Sequence, residues 1–322
     1  MDTIVMVGVI IAAIVVVSLA ALGYMYFKHH HNVPNPDYKH PRFKPNHRQW
    51  SDEEVTFTWI GHSTVLINLY GTKILTDPVF GERVGVHLGG NWQIGPKRIT
   101  APALSIEEIG HVDLILLSHA HLDHFDMPTL KKLAGPGTRV ITAQGIGHLL
   151  KRLPFREVRE IPLGQEIHTQ QGVSVRSVPV RHWGNRFPWN VTYGFTGFLI
   201  EKNGYRLFFA GDTAYTPTFR DLRKYGRIDV AFMPIGAYFP DEYQGTHCTP
   251  EQAWDMFMDT GATYIAPIHW DTFVLSREPV HEPLERLLAI AGRQVDRVIV
   301  REHGEVFRAT DSQVMNGPNK TA

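Results

Sequence analysis

The run Ser118-His119-Ala120-His121-Leu122-Asp123-His124 places three imidazoles and a carboxylate within six consecutive positions. Imidazole nitrogens and carboxylate oxygens suit zinc, and also iron or manganese. A donor set this dense exceeds what one tetrahedral ion takes from a single loop and implies two ions, which can activate a water between them. One histidine in a chain of 18 carries little weight, but three further segments add donors in similar settings. His182 lies in Pro179-Val180-Arg181-His182-Trp183-Gly184, Asp212 in Phe208-Phe209-Ala210-Gly211-Asp212-Thr213, and His269 closes Tyr264-Ile265-Ala266-Pro267-Ile268. Structural zinc sites are usually closed by cysteines. Cys248 is the only cysteine, so this donor set reads as catalytic.

Each candidate ligand follows a short apolar run of strand character, so a rigid sheet can hold a loop residue in place. Strands are expected at 55–60, 64–69, 73–75, 112–117 and 139–142 in a first half, and at 173–178, 195–201, 205–210, 230–234, 263–268 and 297–300 in a second. Apolar residues at helical spacing predict helices over 127–133, 146–153, 218–225, 250–260 and 283–291. Thr249-Pro250-Glu251-Gln252 carries a threonine cap with proline in the first turn.

The ordered set His119, His121, Asp123, His124, His182, Asp212 and His269 resembles that of the metallo-β-lactamase superfamily of hydrolases, over residues 55–308. Further stretches resemble the N-acylphosphatidylethanolamine-hydrolysing phospholipase D group within it. They include Trp59-Ile60-Gly61-His62-Ser63-Thr64, Leu75-Thr76-Asp77-Pro78-Val79-Phe80, Pro234-Ile235-Gly236-Ala237-Tyr238 and His269-Trp270-Asp271-Thr272-Phe273. Asp271, between Trp270 and Thr272, departs from that group's pattern. The resemblance implies an α/β fold, an αββα sandwich of two sheets flanked by helices. It implies two zinc ions, one held by His119, His121 and His182, the other by Asp123, His124 and His269, with Asp212 bridging. It also implies a supporting role for Asp77, whose alternative is a turn-forming Asp-Pro, and His62 is read as supporting too. His247 matches a histidine near the substrate phosphate, its alternative being a cap on the following helix. Tyr238 and Trp183, among the aromatics beside the ligands, are candidates for contact with acyl chains.

The chain from residue 3 to 27 is apolar and uncharged, longer than the roughly 20 residues that cross a bilayer. It reads as a transmembrane anchor (1–27) rather than a signal peptide, because no lysine or arginine precedes it. Lys28, Lys39, Arg42, Lys44 and Arg48 follow it, which predicts a single-pass protein with the catalytic domain on the cytoplasmic side. Residues 28–54, with Pro34, Pro36, Pro41 and Pro45, read as an extended linker, 55–310 as one hydrolase domain and 311–322 as a disordered tail. Lysine plus arginine and aspartate plus glutamate both count 32, so the field of a nucleic-acid binder is missing.

The expected function is therefore a membrane-anchored dinuclear zinc phosphodiesterase. A hydroxide bridging the metals attacks phosphorus of a glycerophospholipid, with Asp212, Asp123 and His247 as catalytic groups. The alternative is a lactonase or small-molecule phosphodiesterase on the same metals. The expected partners are the phospholipid and its membrane, with a homodimer open.

Overall fold

The computed structural model describes residues 3–30, 33–89, 92–187 and 189–309. The expected tail, 311–322, lies outside them, as does Pro188. The strands are β1 Val55–Gly61, β2 Thr64–Leu69, β3 Thr72–Thr76, β4 Val86–Gly89, β5 Trp92–Ile94, β6 Leu114–Leu117, β7 Arg139–Ala143, β8 Glu157–Ile161, β9 Glu166–His168, β10 Ser174–Val178, β11 Gly197–Lys202, β12 Tyr205–Phe209, β13 Val230–Pro234, β14 Tyr264–Ile268 and β15 Val306–Arg308. The α-helices are α1 Thr3–His30, α2 Ile106–Ile109, α3 Met127–Leu133, α4 Pro250–Thr260 and α5 Glu282–Ala291.

One sheet has the order β15-β1-β2-β3-β6-β7-β8, the second β14-β13-β12-β11-β10-β9, and β4-β5 pair separately. The two large sheets with their helices form the α/β architecture expected from the sequence. Strand alternation builds its layers. Leu114 and Leu116 of β6 join Phe57, Phe198, Phe208 and Phe232 in one core, where Phe57 and Phe232 meet edge to face at 4.9 Å. Ile115 and Leu117 face the other way and pack with Leu130 of α3 and Ile109 of α2. Burial on both faces is why β6 reads as an unbroken apolar run.

Contacts among neighbours divide the chain into Met1–Asn35 and Pro36–Ala322. Among the described residues no helix is long and apolar enough to cross a membrane. The expectation of a transmembrane anchor, and with it the single-pass localisation, is corrected by that finding. From Lys39 onward the proline-rich segment bonds to the domain: Lys39 N donates to Ile99 O at 2.8 Å, and Ala101 N donates to Lys39 O at 2.9 Å.

The strand expected at 297–300 is a 3-10 helix, Gly292–Arg297, followed by a single bridge from Val298 to Ile265. The edge strands β8, β9 and β15 escape sequence reading because their faces are largely exposed and polar, as in Glu157–Ile161. The helices expected over 146–153 and 218–225 tighten into 3-10 turns, Gly147–Leu150 and Pro217–Tyr225.

Candidate metal centre

Parallel pairing of β3 with β6, and of β12 with β13 and β14, points their carboxyl ends the same way within each sheet. Asp77 follows β3, His119 to His124 follow β6, Asp212 follows β12 and His269 follows β14. His62 sits in the β1–β2 turn at φ 53°, and His182 beyond β10. Gly211, at φ 62°, lets the Asp212 loop press onto the ligand loop: a Cβ there would stand 2.9 Å from Ser118 Cβ.

Two four-donor groups result among the described residues. His119, His121, His182 and Asp212 form one, and His62, Asp123, His124 and His269 the other, each with its ligand atoms within 4.8 Å of one another. Asp212 Oδ2 stands between them, 3.1 Å from His124 Nε2, 3.2 Å from His269 Nε2, 3.8 Å from His182 Nε2 and 4.0 Å from His119 Nε2. Asp123 Oδ2 lies 3.5 Å from His124 Nε2 and 3.6 Å from His269 Nε2. His121 Nδ1 faces both His119 Nε2, at 2.9 Å, and His182 Nε2, at 3.2 Å. One proton cannot satisfy three such nitrogens. Among the described residues His121 Nε2, His124 Nε2, His269 Nε2 and Asp212 Oδ1 are buried without a hydrogen-bond partner, a cost that native proteins rarely leave uncompensated. Nitrogen and carboxylate donors so converged fit divalent cations of the zinc class.

The supporting bonds decide which nitrogen points inward. Asp77 accepts from Ser118 N at 2.7 Å and Ser118 Oγ at 2.5 Å, and its Oδ2 lies 2.8 Å from His124 Nδ1. His182 Nδ1 donates to Thr246 O at 2.8 Å. Both rings are thereby held with Nε2 free for a ligand. His62, read as supporting, stands inside the second donor group, its Nε2 3.1 Å from Asp123 Oδ2.

In the metal-free chain burial pushes His119 well below the usual imidazole range, and the neighbouring His124, His121 and His182 add to it. Burial likewise holds His62 and His182 at about 3. For His124 and His269 burial opposes the cation, but Asp212 and Asp123 outweigh it, raising His124 well above its ordinary value and His269 to about 9. Asp123 and Asp212 stay well below the carboxylate range: the nearby histidines overcome burial.

A cavity of about 350 Å³ opens on the centre, walled by Val84, Leu122, Trp183, Tyr243, His247 and Leu275 among others, and Asp123 and Asp212 reach it. His247 Nδ1 is 3.9 Å from Asp212 Oδ2, and burial holds its ring at about 4. Trp183 packs edge-on against His121 at 4.3 Å and is half exposed. Tyr238 has a buried ring, its hydroxyl donates to Glu282 Oε1 at 2.9 Å, and Arg286 lies over its face. Tyr243, in the 3-10 turn Asp241–Gly245 and with no distinguishing sequence signal, lines the cavity. Arg186 was also missed. Its Nη1 donates to Ala120 O at 3.0 Å and Phe125 O at 2.8 Å, bracketing the ligand loop from the segment after His182.

The family model described as the β-lactamase superfamily domain matches residues 72–270. A protein of Mycobacterium bovis is 31% identical over 271 residues, covering 81% of this chain and 70% of its own length. A Saccharomyces cerevisiae protein named mitochondrial N-acyl-phosphatidylethanolamine-hydrolyzing phospholipase D is 31% identical over 266 residues, 77% of this chain and 54% of the yeast protein. Among solved structures, Igni18, a metallo hydrolase of Ignicoccus hospitalis, superposes with a TM-score of 0.60 at 20% identity, covering 80% of this chain and 99% of that one.

Proposed function

The chain belongs to the metallo-β-lactamase superfamily and is a metal-dependent hydrolase, and from that premise we propose that it is a dinuclear zinc phosphodiesterase acting on a glycerophospholipid. The observation that carries the reading is Asp212 Oδ2, set among the Nε2 atoms of His124, His269, His182 and His119. A carboxylate shared by two histidine groups is suited to bridging two ions. Two such ions, when bound, supply an activated water at neutral pH and neutralise charge on phosphate oxygens.

The chain's own residues do the rest. His119, His121 and His182 would hold one ion and Asp123, His124 and His269 the other, and Asp77 would keep His124 in its ligating tautomer. His247, with its ring at about 4, is neutral at pH 7. It serves best as a hydrogen-bond donor to a phosphate oxygen or to the departing alkoxide, rather than as an imidazolium acid. Asp123 and Asp212, which reach the cavity, would position the metals and their water, and Trp183 on the wall would meet the substrate's apolar part.

Two observations favour a lipid diester. The yeast relative is named as a phospholipase D acting on N-acyl-phosphatidylethanolamine. Among the described residues lining the cavity there is no lysine or arginine, while Val84, Leu122, Trp183 and Leu275 present apolar surface. Such a wall suits a singly charged phosphodiester with aliphatic substituents better than a doubly charged monoester.

The test is hydrolysis of N-acylphosphatidylethanolamine in mixed micelles by zinc-loaded protein in water enriched in heavy oxygen. One heavy oxygen should appear in phosphatidate and none in the released N-acylethanolamine. Heavy oxygen in a freed fatty acid, with no phosphatidate, refutes the phosphodiesterase reading and makes an ester or lactone hydrolase the better account.

A further inference from the structure

Ser118 stands between β6 and the first ligand, His119, and is 1% exposed. Three other segments close on it. Thr196 N donates to its carbonyl at 3.0 Å, and Asp77, beyond β3, accepts from its backbone N at 2.7 Å. A Cβ on Gly211 would stand 2.9 Å from the Ser118 Cβ, so the residue before Asp212 leaves room for only a small side chain at position 118. Serine meets that limit and adds a hydroxyl.

The hydroxyl lies between two side chains of the centre. Its Oγ is 2.5 Å from Asp77 Oδ2 and 2.8 Å from His119 Nδ1. An ionised carboxylate only accepts, so the single hydroxyl hydrogen goes to Asp77. A lone pair is left for His119, whose Nδ1 must then carry the hydrogen of the second bond. His119 Nε2 is thereby free of hydrogen, and it faces the donor group, with His121 Nδ1 at 2.9 Å and Asp212 Oδ2 at 4.0 Å. His124 is held the same way without an intermediary, its Nδ1 2.8 Å from Asp77 Oδ2 and its Nε2 3.1 Å from Asp212 Oδ2.

Asp77, His119 and His124 bring ligand-type atoms within 4.8 Å of one another. Hydrogen bonds account for this cluster, since His124 turns Nδ1 to Asp77, His119 turns Nδ1 to Ser118, and both keep Nε2 for the centre. All four residues are buried, so bulk water does not compete for these bonds.

We propose that Ser118 is a positioning residue for the metal ligand His119, and that through its hydroxyl the one carboxylate of Asp77 governs a ligand of each ion. His119 belongs to one four-donor group and His124 to the other. Asp77 holds both in the Nδ1–H tautomer and strengthens both Nε2 donors, His124 directly and His119 across the hydroxyl. The two ion sites are thus coupled behind the centre by a residue that belongs to neither four-donor group, in addition to Asp212 in front. The inference rests on the reading of His119 and His124 as ligands of different ions.

The experiment measures stepwise metal affinity of the full chain by chelator competition. Cadmium NMR of protein carrying nitrogen-15 histidine assigns each ion by its coupling to ring nitrogens, and the same sample shows where each ring keeps its hydrogen. Ser118→Ala, which removes only the hydroxyl, should weaken the ion of His119 about 10–100-fold and leave the ion of His124 near wild type. Asp77→Asn, which removes the charge behind both rings, should weaken both. A structural defect would lower both ions alike in the two variants. Equal loss of both ions in Ser118→Ala, or no loss, overturns the inference, and so does an Asp77→Asn variant that weakens only the ion of His124. Should Ser118→Ala fail to fold, the ring signals of loaded wild type decide: hydrogen on Nδ1 of both His119 and His124 is expected, and a His119 with hydrogen on Nε2 overturns the relay. A wild-type chain that takes up no metal overturns the reading of the site as well.

Discussion

Asp212 and the histidines around it set the chemistry at the scale of single residues, and they also set its dependence on pH. In the metal-free chain Asp212 and Asp123 outweigh burial and hold protons on His269, up to about 9, and on His124, higher than its ordinary value. A metal must displace those protons. Metal uptake near pH 7.5 should therefore release at least about one proton per chain, and affinity should climb as pH rises toward 9. Calorimetry in two buffers of different ionisation enthalpy measures the release directly. Buffer-independent heats would show that these rings are neutral before metal arrives. His119 and His182, held low by burial, contribute no proton in that range.

At the scale of elements, the loop carrying His247 is fixed by the helix that follows it. In α4, Thr249 Oγ1 accepts from Gln252 N at 3.3 Å, and Gln252 Oε1 accepts from Thr249 N at 3.1 Å, a reciprocal cap with Pro250 in the first turn. The helix closes on Gly261 in the left-handed conformation, φ 72°. Thr249→Ala should cost about 1 kcal/mol, read as a lower urea midpoint at unchanged slope. Zinc content should be unaltered, because no residue of the cap belongs to a donor group. Loss of zinc in this variant would mean that the cap also positions ligands. Edge elements differ: β8 and β9 expose most of their side chains and contribute Ile161 and Ile167 to the core between the sheets.

For the molecule as a whole, the donors come from both large sheets: His119 to His124 follow β6 of one, Asp212 and His269 follow β12 and β14 of the other. Metal bound across them ties the sheets together, so removing it should weaken the fold. At a free zinc concentration a thousandfold above the dissociation constant, each site adds about 4 kcal/mol. Chelation should accordingly lower the thermal midpoint and abolish hydrolysis together, and restored zinc should recover both. An unchanged midpoint after complete metal removal would show that the centre is preorganised without contributing to stability.

Sequence by itself was enough for the His/Asp donor cluster, because a dense His/Asp loop after an apolar strand is a local pattern, and for β6 and β12, because strands buried on both faces read as continuous hydrophobic runs. It was also enough for the start of α4, where cap, proline and glutamine are neighbours in the chain. Tertiary structure decided the rest. Tyr238 and Tyr243 look alike in sequence, yet one bonds Glu282 and the other lines the cavity, since the outcome depends on a helix some forty residues later. The apolar amino-terminal run suggested a membrane span by composition, whereas among the described residues no helix meets the length and apolarity a span requires. Asp271 appeared as a departure from a pattern. Only the fold shows that its carboxylate is buried and paired with Lys39 from the amino-terminal segment.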